Sequence, residues 1–245
     1  MQYLIKNICS ALLIFLLTCL AVKKGSFESY SETKACLFAL LMCNVWSGTF
    51  NSIALFFSES EYMVDDLKKI ISVRTYVIAN LLIQVFLCVV EALVCTVALV
   101  IMYNIDTIGL VFDNIYLDYF ITFFLVLISA DMLGFLVGMF IENIGSAMSV
   151  IPMILIVQFL FSGCLFELEG ILSKVSVITT AKWGFAALGA ITDLNSYVPA
   201  LMQSDLFEHT LEYIFNCWQQ LGLIAFTCFI CASAVLYVKM NSYEQ

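Results

Sequence analysis

The chain is 245 residues long, 63% hydrophobic and only 12% charged, with a mean hydropathy of +1.03; soluble domains use about 45–50% apolar residues, so a water-soluble enzyme is excluded. Two prolines, one histidine and a single arginine, Arg74, exclude a proline-rich linker protein, a histidine-built metal site and a nucleic-acid binder, which needs a basic face. The formal net charge of −9 argues against attraction to anionic lipid or polyphosphate and names no partner of its own.

What remains is a polytopic membrane protein. A crossing helix needs about 20 mainly apolar residues, because lipid offers no water to backbone groups and the helix must satisfy them internally. Six stretches qualify, approximately 3–22, 35–57, 76–102, 119–141, 147–166 and 217–238. The expected fold is therefore all-α, one membrane domain over 1–245, with almost all charges collected between the spans. The first stretch, with Lys6 ahead of an apolar core, also fits a secretory signal peptide. Leu16-Leu17-Thr18-Cys19 is a poor cleavage box, and losing the stretch would leave an odd number of crossings, so a retained span is the preferred reading.

An even number of crossings puts both termini on one side, and the Lys and Arg excess in short loops should identify it. It does not: Lys6, Lys68, Lys69, Arg74 and Lys239 on one side balance Lys23, Lys24, Lys34, Lys174 and Lys182 on the other. Between the second and third spans, Met63, Leu67, Ile70 and Ile71 recur at helical spacing, with Asp65, Asp66, Lys68 and Lys69 toward the other side. This predicts a short amphipathic helix along the membrane surface, acids before bases as the helix dipole favours.

Glu91 and Asp131 are the acids that lie well inside apolar runs. A carboxylate at bilayer depth costs at least about 2.5–3.5 kcal/mol on insertion scales, so such groups face protein or water. Either a proton relay or a hydrogen-bonded helix contact accounts for them. Gly134 and Gly138 form a small-xxx-small face suited to close helix packing, and Pro152 reads as a helix start or gentle kink. The segment 167–216 is the longest outside the spans, yet Ile171–Ala190 is too apolar for an open loop; Asp193, Asp205, Glu208 and Glu212 make the remainder acidic. His209 has no second histidine for a metal site. Eight of the ten cysteines fall inside apolar runs, where a thiol behaves as a small hydrophobe; Cys164 and Cys217, near span ends, could form one bridge.

Three stretches read together carry more. The second span ends Asn44-Val45-Trp46-Ser47-Gly48-Thr49-Phe50-Asn51-Ser52-Ile53; the late part holds Leu133-Gly134-Phe135-Leu136-Val137-Gly138 and Ile151-Pro152 running to Phe161-Ser162-Gly163; Trp183-Gly184-Phe185 follows. This order resembles the membrane domain of ABC-2 type ABC transporters, closest to the G-subfamily and its bacterial relatives, over nearly the whole chain. Where that family usually carries Glu-Arg and Arg-Glu pairs after the second span, this sequence has Glu59-Ser60 and Asp65-Asp66. No G-x-x-x-x-G-K-[ST] occurs, so phosphates cannot be cradled in a P-loop here.

The resemblance implies a permease subunit in the cell membrane, both termini cytosolic. ATP and Mg would be bound by a separate ATPase chain, with no cofactor in this one. A second membrane subunit, identical or different, would complete the dimer, with lipid around it and no nucleic acid. It implies that Glu59, Glu61, Asp65, Asp66, Lys68, Lys69 and Arg74 couple to the ATPase through the surface helix, and that a re-entrant helix follows the fifth span. It further implies a substrate path with Asn44, Trp46 and Ser47 on one wall, Leu155, Ile156 and Phe159 on the other, and Cys164 with Leu165 as a plug. The expected cargo is amphipathic, lipidic or peptidic. Two rival readings are an ion-coupled secondary transporter built around Glu91 and Asp131, and a non-transporting immunity or sensory protein of the membrane.

Overall fold

The computed structural model describes residues 29–62, 73–102, 108–141, 143–166 and 168–242, together with Leu16. The expected first span, 3–22 apart from Leu16, and the surface helix at 63–71 lie outside the described residues. Every regular element among the described residues is helical. In chain order they are α1 (Tyr30–Tyr62), α2 (Val73–Met102), α3 (Ile115–Phe140), α4 (Ile144–Leu160), α5 (Gly170–Ser176), α6 (Thr180–Ile191) and α7 (Leu211–Ser242), with short 3-10 turns between α6 and α7. Among the described residues four stretches are long and apolar enough to cross a membrane: Tyr30–Phe57, Thr75–Val100, Ile115–Phe140 and Leu211–Val238.

The helices outrun the apolar stretches that announced them. α1 begins five residues before the expected 35, because Thr33 closes the first turn through its amide and its hydroxyl, both donating to the Ser29 carbonyl at 3.0 and 2.7 Å, and Glu32 suits the positive end of the dipole. α2 runs for 30 residues with neither glycine nor proline to interrupt it. α3 is capped by Asn114, whose side chain accepts from the Tyr116 amide at 3.0 Å. α7 starts at Leu211 rather than 217, since hydrogen bonding carries a helix through polar residues that hydropathy discounts.

The fifth apolar stretch differs most from expectation. α4 starts behind an Asn143 cap, whose side chain accepts from the Ser146 amide at 2.8 Å, and stops at Leu160 after 17 residues, not at 166. At 1.5 Å per residue that is roughly 25 Å, short of a hydrocarbon core of about 30 Å. Pro152 stands in the interior of α4, not at its start, and there removes one backbone bond from the ladder. The helix ends where Ser162 turns its hydroxyl back to the Phe159 carbonyl at 2.8 Å and Gly163 takes a φ of +78°, open to glycine at little cost. The apolar segment beyond it is helical in two pieces, α5 and α6, and α6 is buried along most of its length.

α3 is the central post. Its sequence is apolar around the whole circumference, as a helix surrounded by others requires, and it packs against α1, α2, α6 and α7. Polar ties pin the neighbours to it: the Trp218 indole of α7 donates to Thr122 at 2.9 Å, and Tyr119 and Thr192 share a hydrogen bond of 2.7 Å. The tightest contact is with α1. A Cβ on Gly48 would stand 2.7 Å from the Leu127 carbonyl oxygen, and one on Gly134 would stand 2.6 Å from that of Thr49. Both are backbone atoms that cannot swing aside. Gly138 meets only the Phe56 ring, at 3.2 Å.

Gly134→Ala is expected to cost about 1–3 kcal/mol, the range for overpacking a well-filled contact, and Gly48→Ala a similar amount. Gly222→Ala, where a Cβ meets nothing within 4 Å, is expected to leave stability level or slightly raised. Thermal unfolding of the purified variants in detergent checks the contrast.

Candidate functional site

Helical spacing decides which α1 and α2 side chains meet. On α1, Asn44, Ser47 and Asn51 fall at i, i+3 and i+7; on α2, Gln84, Cys88, Glu91 and Cys95 fall at i, i+4, i+7 and i+11, and both sets therefore form single stripes. The opposite face of α2 carries Leu82, Phe86, Leu93 and Val97, all exposed. Lipid takes the apolar face, and the polar stripe turns into the bundle.

There its members hydrogen-bond to side chains of the facing helix. Glu91 is 4% exposed; its Oε2 accepts from the Ser47 hydroxyl at 2.7 Å and its Oε1 from the Asn51 amide at 2.6 Å. Asn51 also donates to the Ser47 oxygen at 3.3 Å. Two turns back along α2 the Gln84 amide donates to Ser52 at 2.9 Å, and Ser52 in turn neighbours Asp131 of α3 as a hydrogen-bonding partner. Cys95 donates to the Asn44 side-chain oxygen at 3.5 Å. Asp131 is 3% exposed, and its Oδ2 is buried with no hydrogen-bond partner. Two carboxyl groups thus lie in one interior cluster of amides, hydroxyls and thiols.

The residues expected to line a substrate path do not share one surface. Asn44 and Ser47 point into the cluster, whereas Trp46, between them in sequence, is 39% exposed and lies parallel to the Phe50 ring at 6.4 Å. Leu155 is buried while Ile156 and Phe159 are exposed. α1 and α4 do pack together, joined by Phe38 and Phe159 with ring centroids 5.2 Å apart. Leu165 is exposed, and Cys164 and Cys217 are both free thiols. Of the residues expected to couple to an ATPase, Glu59 and Glu61 sit in the last turns of α1 and Arg74 in the first turn of α2; Asp65, Asp66, Lys68 and Lys69 lie outside the described residues. Asn51, Ser52 and Gln84, which hold the two acids in place, went unassigned in the sequence reading. Their signal was present as polar residues recurring every three or four positions within apolar helices.

A bundle of long apolar helices around a polar interior is a membrane domain, and the sequence comparison decides its kind. The family model for the ABC-2 type transporter matches residues 1–191. The chain belongs to the ABC-2 type transporter family. As a member of it, this multi-pass membrane protein is a transport subunit, the permease component of an ABC transporter, of a type usually not catalytic itself. ABC-2 type permease domains typically work with an ATPase subunit and pair as dimers. A search of curated proteins finds no match. The match includes α1 to α6 and so contains the whole polar cluster.

Glu91→Gln preserves an acceptor for Asn51 and a partner for Ser47, and is expected to change stability by less than about 1 kcal/mol. Glu91→Ala leaves both donors buried without an acceptor and is expected to cost about 1–3 kcal/mol. A double-mutant cycle with Ser47→Ala, followed by thermal unfolding, is expected to show non-additivity, since the two residues share one bond.

Proposed function

We propose that this chain is the permease subunit of an exporter that moves an amphipathic, lipidic or peptide molecule out of the cell, driven by ATP that a separate subunit binds with Mg and hydrolyses. The observation that carries the reading is the family match over residues 1–191. In this reading the protein resembles the G-subfamily and its bacterial relatives, has six spans with both termini cytosolic, and sits in the cell membrane as a homodimer or heterodimer. The segment 63–71 is the coupling helix. Glu59, Glu61, Asp65, Asp66, Lys68, Lys69 and Arg74 lie in or beside it, where the ATPase would push. α5 and α6 make up the re-entrant element, supported by the apolar and largely buried character of α6.

Transport by such a subunit requires two membrane conformations that differ in cargo affinity, and ATP-driven closure of the partner selects between them. Helices whose contacts are apolar can shift past one another at low cost, and the exposed faces of α1 and α4 around Trp46, Ile156 and Phe159 are apolar in this way. These faces, with Leu155, Cys164 and Leu165 toward the end of α4, are where a second protomer and the cargo would meet. Asn44 and Ser47 act one layer behind, holding α1 to α2.

The test is reconstitution of the chain in proteoliposomes with an ATPase subunit that copurifies with it, following a fluorescent amphiphile. Movement is expected to require ATP and to stop when the P-loop lysine of the ATPase is replaced. Asp65→Lys with Asp66→Lys is expected to abolish copurification of the ATPase while leaving the membrane domain folded. The rival with a specific observation behind it is ion coupling through Glu91 and the unpartnered oxygen of Asp131. Movement driven by a proton gradient without ATPase, and lost in Asp131→Asn, would establish it instead. Absence of both an ATPase partner and any transport would favour an immunity or sensory role.

A further inference from the structure

A cavity of about 640 Å³ opens where the turn after α4, α5, the start of α6, the 3-10 turn Asp205–Phe207 and the first turns of α7 converge. Its size falls in the usual range of ligand pockets, roughly 300–1,000 Å³. It lies apart from the Glu91 and Asp131 cluster, sharing no residue with it. Its charge is of both signs. Lys182 supplies a cation, and Glu169 and Asp205 supply two carboxylates.

Lys182 is half-buried and poorly satisfied. Its ammonium reaches the Ser173 carbonyl at the long distance of 3.5 Å and stands 5.2 Å from the centroid of the Trp183 ring. The ring is itself fixed, its indole donating to the Val177 carbonyl at 2.7 Å. Burial lowers the pKa of Lys182 from the ordinary lysine value, opposed by the Cys217 side chain. A cation in such a place gains most from an incoming anion. Glu169 and Asp205 are exposed on the same lining.

The segments that supply the lining also expose apolar side chains: Phe166 of the lining itself, Ile171 and Leu172 of α5, and Leu201 and Met202 just ahead of Gln203 in the chain. On a multi-pass membrane protein such residues suit acyl chains. We infer that this cavity binds the zwitterionic headgroup of a phospholipid, phosphate at Lys182 and ammonium at Glu169 and Asp205, with the tails on these exposed apolar residues. A purely anionic headgroup would face two carboxylates, and a purely cationic amphiphile would leave Lys182 without an anion, so a lipid carrying both charges fits best. The inference goes beyond the permease reading and does not depend on cargo movement, since binding can be measured without ATPase.

Native mass spectrometry of the purified full chain in detergent tests it, with phosphatidylethanolamine, phosphatidylglycerol and tail-less glycerophosphoethanolamine as probes. One saturable phosphatidylethanolamine is expected, bound at least tenfold tighter than phosphatidylglycerol. Lys182→Gln is expected to weaken both lipids tenfold or more, and Lys182→Arg to retain them. Glu169→Gln with Asp205→Asn, at exposed positions where folding is not at stake, is expected to erase the preference between the lipids. No saturable adduct, equal affinity for the two lipids in the unaltered chain, or affinity unchanged in Lys182→Gln would overturn the inference. So would glycerophosphoethanolamine competing at the concentration of the intact lipid, which would make this a site for a free solute.

Discussion

The backbone contact between α1 and α3 at Gly48 and Gly134 governs the rest of the bundle. Without side chains at those points the two helices come within reach of each other's carbonyl oxygens, close enough for the Thr49 hydroxyl to reach the Ala130 carbonyl at 3.4 Å while it also donates to Val45 at 2.8 Å. Transmembrane helices lack a hydrophobic drive toward one another, since lipid tails are as apolar as leucine, so close packing and interhelical hydrogen bonds must hold them. The glycines create that packing. They also set the depth at which Ser47, Asn51 and Ser52 of α1 face inward.

From that depth follows the polar cluster. Its members are short amides, hydroxyls and thiols arranged around two carboxyl groups, and nearly every donor finds an acceptor among them. Groups of this kind are expensive in hydrocarbon unless satisfied, which explains why α2 presents Gln84, Cys88, Glu91 and Cys95 along one stripe and leucine, valine and phenylalanine along the other. The cluster ties α1, α2 and α3 into one unit. Broad apolar faces are exposed on α4 and α7, as on the outer side of α2. The bundle thus combines a hydrogen-bonded interior with an apolar exterior, an arrangement suited to moving as a body against a partner while its own helices stay in register.

The end of the molecule beyond α4 follows a different logic. Because α4 stops at Leu160, the chain turns early and the apolar segment after it folds back as α5 and α6 against the bundle. Gln158 of α4 accepts from the Ala181 amide at 2.9 Å, which satisfies one of the free donors at the start of α6. Tyr213 donates to the Leu206 carbonyl at 3.0 Å and Asn195 donates to the Ser204 and Phe207 carbonyls, each at 3.0 Å, so the 3-10 turns are fastened as a wall. The cavity around Lys182 is the space these short elements leave between them.

Amino-acid order alone settled the class of the protein and most of its helices. A run of apolar residues about as long as a bilayer is thick has few alternatives to a crossing helix, and the W-x-G-x-x-N-S, Phe-Ser-Gly and Trp-Gly elements in order identified the family that the comparison then established. Hydropathy placed helix ends poorly, because caps such as Asn114 and Asn143, back-bonds such as that of Thr33 to Ser29 and the continuing backbone ladder decide them, and of the two readings of Pro152, a helix start or a gentle kink, the Asn143 cap removes the first. Glu91 and Asp131 were legible as unusual. Their partners were not, since Ser47 and Asn51 stand 44 and 40 positions away from Glu91. Which helices adjoin is set by packing around the glycine contact rather than by any local pattern. The same holds for the cavity: Glu169, Lys182 and Asp205 are ordinary loop and helix residues in the chain, and only the folding back of α5 and α6 makes them the lining of one space.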